Sequence, residues 1–212
     1  MIDYNIISTG SCGNAVILNK TILIDIGVSF RSLRPYYKDL QLVLLTHIHS
    51  DHFNRKTVGR LAKERPMLRF GCCEWMMVPL MSCGVQMRNI DVYDCNTGYD
   101  YGKTKITPVE LVHNVPNCGY KFDFGDWKAI YATDTNTLDG IEAFGYDLYM
   151  IEANYDNEEI SERIKEKENT GKHIYEYDVL NNHLSKEACD EFLQKNMSWN
   201  STFVYMHQHK EK

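Results

Sequence analysis

A short histidine-rich segment is the part of the chain best suited to metal chemistry. Three histidines and an aspartate fall within six residues, directly after the apolar run LVLL: His47, His49, Asp51 and His52. Alternate side chains of an extended segment point the same way, so His47 and His49 can hold one metal ion. Asp51 and His52 follow where the chain leaves the strand and can turn towards a second ion. The alternative is an exposed polar loop, but packing alone would not select imidazole at this spacing.

Two further candidate ligands each end a later apolar run. His113 closes the run ELVH and Asp134 closes the run IYATD. Taken alone, a single histidine or aspartate at the end of a strand is commonly a cap or a satisfied polar group. Because both follow the histidine-rich segment in order, we expect both to be metal ligands.

The order of these motifs resembles the metallo-β-lactamase superfamily. The pattern HxHxDH after a strand, with LIDIG upstream, carries the resemblance, and His113 and Asp134 take the places of the third and fourth motifs. The similarity can be followed over nearly the whole chain. It implies an α/β protein with the four-layer αβ/βα sandwich of the metallo-β-lactamase fold, in a single domain over residues 1–212.

The resemblance also implies how two divalent cations share the ligands. One ion would be held by His47, His49 and His113, and the other by Asp51, His52 and His207, with Asp134 bridging them. Asp51 would also orient the attacking water, which gives it a catalytic role. Histidine and carboxylate ligands without thiolate suit Zn, which we expect in isolated protein, while Mn or Fe would also fit.

Five other segments resemble the YycJ-like (WalJ) branch of this superfamily. They are STGSCGN, HNVPNCGY around His113, IEAN at residues 151–154, ERI at residues 162–164 and HLS at residues 183–185. The branch implies a DNA exonuclease, which makes DNA the expected partner. The chain departs from the branch at Asn182, where glycine is usual, and at Lys186, where asparagine is usual.

Two histidines compete for the position of the last metal ligand. The superfamily usually has this ligand just after a late strand, and FVYMHQH puts His207 there. His183 precedes the predicted helix SKEACDEFL and matches a histidine that lies near the scissile phosphate in the transfer-RNA-processing relatives. We therefore assign His207 to the metal and His183 to transition-state contact or proton donation. His209 is expected to be a solvated side chain.

Two segments upstream of the histidines are expected to support the site. Asp25 of LIDIG is predicted to orient a ligating histidine by a hydrogen bond, with a plain turn aspartate as the alternative. The segment Gly10–Asn14 offers Ser11, Gly13 and Asn14 as substrate-binding residues, because glycines let a backbone N–H approach a phosphate closely. An ordinary hairpin loop is the competing interpretation of that segment.

The elements that must position these residues follow from periodicity and turn signals. Early strands are predicted over DYNII, AVILN, TILIDIG and QLVLLTH, then MLRF and IDVYD, and later TKITPVELVH, GYKFDFG, WKAIYATD, YDLYMIEAN and STFVYMHQH. Helices are predicted after Asn54, over CEWMMVPLM, near Leu138, over residues 156–168 and over residues 185–195. Helices thus follow strands in both halves, as expected when two sheets are each covered by helices.

Composition narrows the function classes. The chain has 212 residues, 43% of them apolar, which suits one globular domain. The start MIDYNIISTG has no signal-peptide pattern and no apolar run reaches membrane-spanning length, so we expect a cytoplasmic protein without a membrane partner. Seven scattered cysteines indicate reduced thiols. A net charge of −6 argues against a globally basic nucleic-acid binder, so an anionic substrate needs local positive charge.

These observations favour a metal-dependent phosphodiesterase acting on DNA ends. The alternative is a metallo-hydrolase of a thioester, lactone or small cyclic phosphodiester, because the same metal site serves all of these reactions. A non-catalytic module that keeps the fold is the third hypothesis, and the complete set of ligands argues against it. The oligomeric state does not follow from the sequence.

Overall fold

The chain divides into two compact units, each built on one sheet. A computed structural model describes residues 2–208, and the units are Met1–Tyr99 and Asp100–Lys212. The single domain expected from the sequence remains a prediction. No helix within residues 2–208 is long and apolar enough to cross a membrane.

The first unit has a six-stranded sheet whose spatial order equals its chain order. The strands are β1 (Tyr4–Ser8), β2 (Ala15–Leu18), β3 (Ile22–Ile24), β4 (Leu42–Leu45), β5 (Arg69–Cys73) and β6 (Ile90–Tyr93). Strands β1 to β3 pair antiparallel, and β3 to β6 pair parallel. The helices are α1 (Phe30–Leu33), α2 (Arg55–Glu64) and α3 (Glu74–Ser82), with a 3-10 turn at Met87–Asn89.

The central strands of this unit are apolar on both faces. Every residue of β2, β3 and β4 is buried, which explains why these runs are continuous rather than alternating. Helix α2 begins as predicted, because the Asn54 side chain accepts a hydrogen bond from the Thr57 N–H. Its buried side chains, Val58 and Leu61, pack in the core with Phe70 of β5.

The second unit has another six-stranded sheet, again in chain order. Its strands are β7 (Tyr99–Asp100), β8 (Lys105–Leu111), β9 (Asn117–Asp123), β10 (Lys128–Ala132), β11 (Leu148–Glu152) and β12 (Thr202–Met206). Strands β8, β9 and β10 pair antiparallel, while β10, β11 and β12 pair parallel. Its helices are α4 (Asn157–Thr170), α5 (Glu176–Asn182) and α6 (Lys186–Asn196).

Topology brings four strand ends of this unit to one edge of the sheet. Strand β8 runs parallel to β10, because each is antiparallel to β9, and β10, β11 and β12 share one direction. The segments that follow them carry His113, Asp134 and His207, and β11 ends with Glu152. Residues distant in sequence therefore come together at this edge.

Most predicted elements are confirmed, and one helix is wrong. No helix forms near Leu138, where a turn occurs instead. The Thr135 hydroxyl donates to the Thr137 carbonyl at 2.8 Å, and the Thr137 hydroxyl accepts from the Asp139 N–H at 3.1 Å. Such local side-chain bonds compete with helical backbone bonds. The short helices α1 and α5 were not predicted, because neither is long enough for a periodic apolar pattern.

Candidate metal centre

The histidine-rich segment of the first unit forms a tight turn at the carboxyl end of β4. The N–H groups of His52 and Phe53 both donate to the His49 carbonyl, at 3.0 and 2.7 Å. The turn brings the ring centroids of His47 and His49 to 4.8 Å, and those of His47 and His52 to 4.2 Å. His47 and His52 are buried, while His49 and Asp51 are half-buried. The structure therefore gathers three imidazoles, two buried and one half-buried, at one strand end.

Asp25 orients this group from the neighbouring strand. It follows β3, which is parallel to β4, so its carboxylate meets the start of the histidine-rich segment. One carboxylate oxygen accepts from the Thr46 N–H at 3.0 Å, and the other lies 2.6 Å from His52 Nδ1. Burial raises the pKa of the Asp25 carboxyl, and the His52 ring opposes that rise. With Nδ1 facing the carboxylate, Nε2 of His52 is the ring nitrogen on the opposite side, where it lies 2.7 Å from the Asn14 side-chain nitrogen.

Thr46 is a supporting residue to which the sequence analysis gave no role. Its hydroxyl lies 3.0 Å from an Asp25 carboxylate oxygen and 3.0 Å from His47 Nδ1. Its carbonyl accepts from the indole N–H of Trp75 in α3 at 3.1 Å. The threonine preceding HxHxDH was visible in the sequence, but its neighbours Asp25 and Trp75 become apparent only from the pairing of the strands.

The glycine-containing segment before β2 braces the same turn. Asn14 is buried; its N–H donates to the Asp51 carbonyl at 2.6 Å, and its side-chain Nδ2 lies 2.7 Å from His52 Nε2. The Gly13 N–H donates to Gly10 at 2.9 Å, so these two N–H groups are occupied internally. Ser11 is exposed. Substrate binding by Ser11, Gly13 and Asn14 stays a prediction, beside the bracing contacts that the structure adds.

A glycine of LIDIG allows that bracing. A Cβ atom added to Gly27 would lie 1.6 Å from the Asp51 carbonyl oxygen, a distance that no packing adjustment of that backbone could accommodate. The Gly27 N–H also donates to the Asn14 carbonyl at 2.8 Å. Within LIDIG, the carboxylate of Asp25 therefore lies two residues before Gly27, where the backbone packs closely against that of Asp51.

Replacing Asp25 by asparagine is expected to weaken metal binding by 10–100-fold, the usual range for partners that orient ligands. The new side chain is compatible with the left-handed backbone (φ 60°) that Asp25 adopts, because asparagine tolerates this conformation. Its amide would favour the wrong tautomer of His52. Competition with a chromogenic Zn chelator measures the affinity, with exposed Asp39→Asn as the matched control. Equal affinities for the two variants would contradict the orienting role.

The second unit holds a compact cluster of four possible ligands. One ligand atom from each of Asp134, Glu152, His183 and His207 lies within 4.8 Å of all the others. His207 Nδ1 is 3.0 Å from Asp134 Oδ2, and His183 Nδ1 is 4.0 Å from Asp134 Oδ1. Three of these residues are buried, and His183 is half-buried. Ligands at 2.0–2.2 Å from a tetrahedral cation lie roughly 3.3–3.6 Å apart, so the set fits an ion after small adjustments.

Glu152 is the functional candidate that the sequence analysis missed. Its side chain is fully buried; Oε1 lies 2.7 Å from His183 Nδ1, and Oε2 accepts from the Thr135 N–H at 2.8 Å. Burial raises the pKa of Glu152, and the nearby Asp134 carboxylate raises it further. The hydrogen bond with His183 acts in the opposite direction. A glutamate inside an otherwise buried strand, YDLYMIEAN, was the signal available.

His113 lies beside this cluster. Its ring is 5.6 Å from that of His183, which is 5.1 Å from that of His207. His113 Nδ1 lies 3.0 Å from the Asn182 carbonyl, a contact that orients the ring. Because the contact uses the backbone of Asn182, the departure from glycine there does not remove it.

Two ligand candidates of this unit have left-handed backbone held by asparagine amides. Asp134 has φ 60° and His207 has φ 50°, conformations that cost non-glycine residues about 1–3 kcal/mol. The Asn117 amide donates to the Asp134 carbonyl at 2.7 Å, and the Asn154 amide donates to the His207 carbonyl at 2.9 Å. These asparagines of HNVPNCGY and IEAN thus fix the direction of both ligands, a role the sequence analysis did not assign.

The structure groups the predicted residues within each unit. The first unit gathers His47, His49, Asp51 and His52, and the second gathers His113, Asp134, His183 and His207. The donors are imidazole nitrogens and carboxylate oxygens, which suits Zn, Mn or Fe. The choice between His183 and His207 stays a prediction, because both lie in the cluster. His209 lies outside the described residues.

Comparisons with known proteins identify a matching family and a related nuclease. The family model "Beta-lactamase superfamily domain" matches residues 20–176. The exodeoxyribonuclease WalJ of Streptococcus pneumoniae is 28% identical over an alignment 176 positions long, which covers 73% of this chain and 63% of that protein. The chain therefore matches less than two thirds of this curated relative's length.

Solved structures share the fold across nearly the whole chain. The metallo-β-lactamase fold protein YhfI of Bacillus subtilis superposes with a TM-score of 0.74 at 14% identity, covering 98% of this chain and 86% of YhfI. The short form of human tRNase Z superposes with a TM-score of 0.69 at 14% identity, covering 98% and 92%. The α/β class and the metallo-β-lactamase fold are thus confirmed. Because the family model matches about three quarters of its residues, the chain belongs to the beta-lactamase superfamily of hydrolases.

Proposed function

We propose that the chain is a metal-dependent phosphodiesterase that removes nucleotides from the ends of DNA. The observation that carries the proposal is the pairing of His183 with buried Glu152, beside Asp134 and His207. The resemblance to the WalJ exonuclease supports DNA as the substrate. The ligands we propose are those expected from the sequence: His47, His49, Asp51, His52, His113, Asp134 and His207.

Two divalent cations, when bound, would neutralise charge on the phosphate and activate water for attack. The chain's own residues would complete the reaction. The Glu152 carboxylate, 2.7 Å from His183 Nδ1, would hold the ring so that Nε2 can donate a proton to the leaving oxygen. Asp51, half-buried at the end of the first unit's turn, would orient the attacking water.

Phosphodiesters and thioesters differ in how much their leaving groups need a proton donor. A thiolate leaves readily because its conjugate acid has a pKa near 8.5, whereas an alkoxide needs a proton as it departs. A histidine held by a buried carboxylate is therefore more useful to a phosphodiesterase or a lactonase than to a thioesterase. This supports the phosphodiesterase over the thioester alternative and leaves the lactone to experiment.

The acidic surface is compatible with action at an end. With a net charge of −6, the protein repels a long polyanion outside the site. Few phosphates are then neutralised, so we expect the reaction rate to fall only modestly between low and physiological salt, because the salt dependence scales with the number of phosphates contacted.

The test compares linear duplex DNA with covalently closed duplex of the same sequence, using Zn- or Mn-loaded protein. We expect release of mononucleotides from the linear form and no cutting of the closed form. Asp134→Asn, which keeps the hydrogen-bonding shape, controls for contaminating nuclease. Equal cutting of both forms would reject end specificity. Inactivity on both, with turnover of a lactone, thioester or cyclic phosphodiester in a parallel panel, would favour the alternative function.

A further inference from the structure

We propose that a pocket of the second unit, separate from the cluster, binds the terminal phosphate of a nucleic-acid strand. This inference rests on the proposed function and adds to it a reason for acting at strand ends. The pocket has a volume of about 250 Å³ and its lining includes Asn154, Tyr155, Glu159, Arg163, Lys186 and Gln208. We call it the α4–α6 pocket, because its lining includes the first turns of both helices.

The pocket adjoins the cluster through shared backbone contacts. Asn154, which lines it, donates its amide to the carbonyl of His207 at 2.9 Å. The Lys186 N–H donates to the Tyr155 carbonyl at 2.8 Å, and Lys186 is only three residues after His183. The pocket and the cluster therefore share the segments that carry His183 and His207.

Charge in the pocket favours an anion. Two cations, Arg163 and Lys186, line it together with two acidic residues, Asp156 and Glu159. The Asp156 carboxylate caps α4 by accepting the N–H groups of residues 158 and 159, and Glu159 lies 3.7 Å from Arg163. Asp156 is thus engaged by the helix and Glu159 by Arg163, whereas Lys186 forms no ion pair with a described residue.

Two helix N-termini add to the positive side of this balance. Helices α4 and α6 have 14 and 11 residues, and each carries roughly half a positive charge at its first turn. Asn157 N–H donates to the Glu187 side chain at 3.1 Å, which ties the two first turns together. Glu187 and the two lining acids offset these helix ends and Arg163, so Lys186 is the lining cation that pairs with no acidic side chain of the described residues.

Size argues for a strand end. Pockets for drug-sized ligands span roughly 300–1,000 Å³, so about 250 Å³ admits a phosphate with its sugar but no duplex. An internal nucleotide could occupy this space only if the strand both entered and left the pocket. A terminal nucleotide has one neighbour, so the strand needs to enter only once. The pocket would thus place the end nucleotide and present the next phosphodiester to His183.

Three segments noted in the sequence converge here. Asn154 comes from IEAN, Arg163 from ERI, and Lys186 directly follows HLS. Lys186 also stands where the related branch usually has asparagine, so this chain carries an additional cation at the pocket. Lys186→Asn is therefore the most informative substitution, since it removes only that charge.

The experiment uses short DNA duplexes ending in a 5′-phosphate, a 3′-phosphate or hydroxyl groups only, with the metal-loaded full chain. We expect one phosphorylated end to lower KM by about 10-fold or more relative to hydroxyl ends, the effect of a charge-assisted hydrogen bond. Lys186→Asn and Arg163→Gln should each abolish that preference, with little change of kcat on the hydroxyl-ended duplex. Lys165→Gln, an exposed lysine of the same helix, should retain the preference.

A binding measurement keeps the inference separate from catalysis. In the presence of a chelator, deoxynucleoside 5′- and 3′-monophosphates are titrated into each full-length variant, and we expect wild type and Lys165→Gln to bind one of them more tightly than Lys186→Asn does. Equal KM for phosphorylated and hydroxyl ends in the wild type, with DNA still cut, would overturn the pocket and leave the proposed function intact. Monophosphate binding lost in Lys186→Asn, without any cutting of DNA, would support the pocket and reject the function.

Discussion

Replacing His183 by alanine is expected to lower the rate of DNA hydrolysis by 10²–10⁴-fold while metal content stays unchanged. His183 is half-buried and its Nδ1 lies 2.7 Å from Glu152 but 4.0 Å from the nearer Asp134 oxygen. A ring held by a carboxylate in this way can donate a proton without contributing a metal bond. Single-turnover rates and elemental analysis of the same preparations measure the two quantities.

Two companion variants identify the cause of that loss. Glu152→Gln should lower the rate less than His183→Ala does, because the amide can still hydrogen-bond His183 Nδ1 and hold the ring. A substrate with a leaving group that needs no proton should restore the rate of His183→Ala. Loss of metal in His183→Ala, with normal content in His207→Asn, would reverse the assignment of the last ligand.

Much of the site could be predicted because its signals are local. Imidazoles at alternate positions after a buried strand need no tertiary information, and Asn54 and Ser185 cap α2 and α6 through bonds to residues three positions on. His207 followed from its place after β12. Each of these inferences depends on a few neighbouring residues.

The residues that were missed act across strands. In the sequence, Glu152 is a single charged residue within an apolar strand, and nothing nearby indicates its role. Once β11 pairs with β10 and β12, its carboxylate lies within hydrogen-bonding distance of His183 and Thr135. Asn117 donates a hydrogen bond to the Asp134 carbonyl, 17 residues away, and Asn154 donates one to the His207 carbonyl, 53 residues away. The α4–α6 pocket joins segments that are also distant in the chain. Such contacts depend on strand order and register, which no local pattern encodes.

Removing metal is expected to lower the melting temperature by about 8–16 °C. A ligand at 1,000 times its dissociation constant stabilises the folded state by about 4 kcal/mol, and each kcal/mol shifts the melting temperature of a chain of this size by roughly 2–4 °C. The buried carboxylates of Asp134 and Glu152 are the structural reason, because Asp134 helps to raise the pKa of Glu152 when no cation offsets their charges.

Elemental analysis of unchelated protein should correspondingly find one to two equivalents of transition metal, the number anticipated from the ligand sets. His207→Asn should lose part of that metal and part of the stabilisation, since asparagine tolerates the left-handed backbone at this position but removes the imidazole. His173→Asn, at an exposed histidine, is the matched control and should behave as wild type. If unchelated protein contains no metal and neither added Zn nor added Mn raises its melting temperature, the buried histidines and carboxylates are a purely structural network. The hydrolytic function would then be lost with the metal site, because His183 and Glu152 alone provide a proton donor and no activated water.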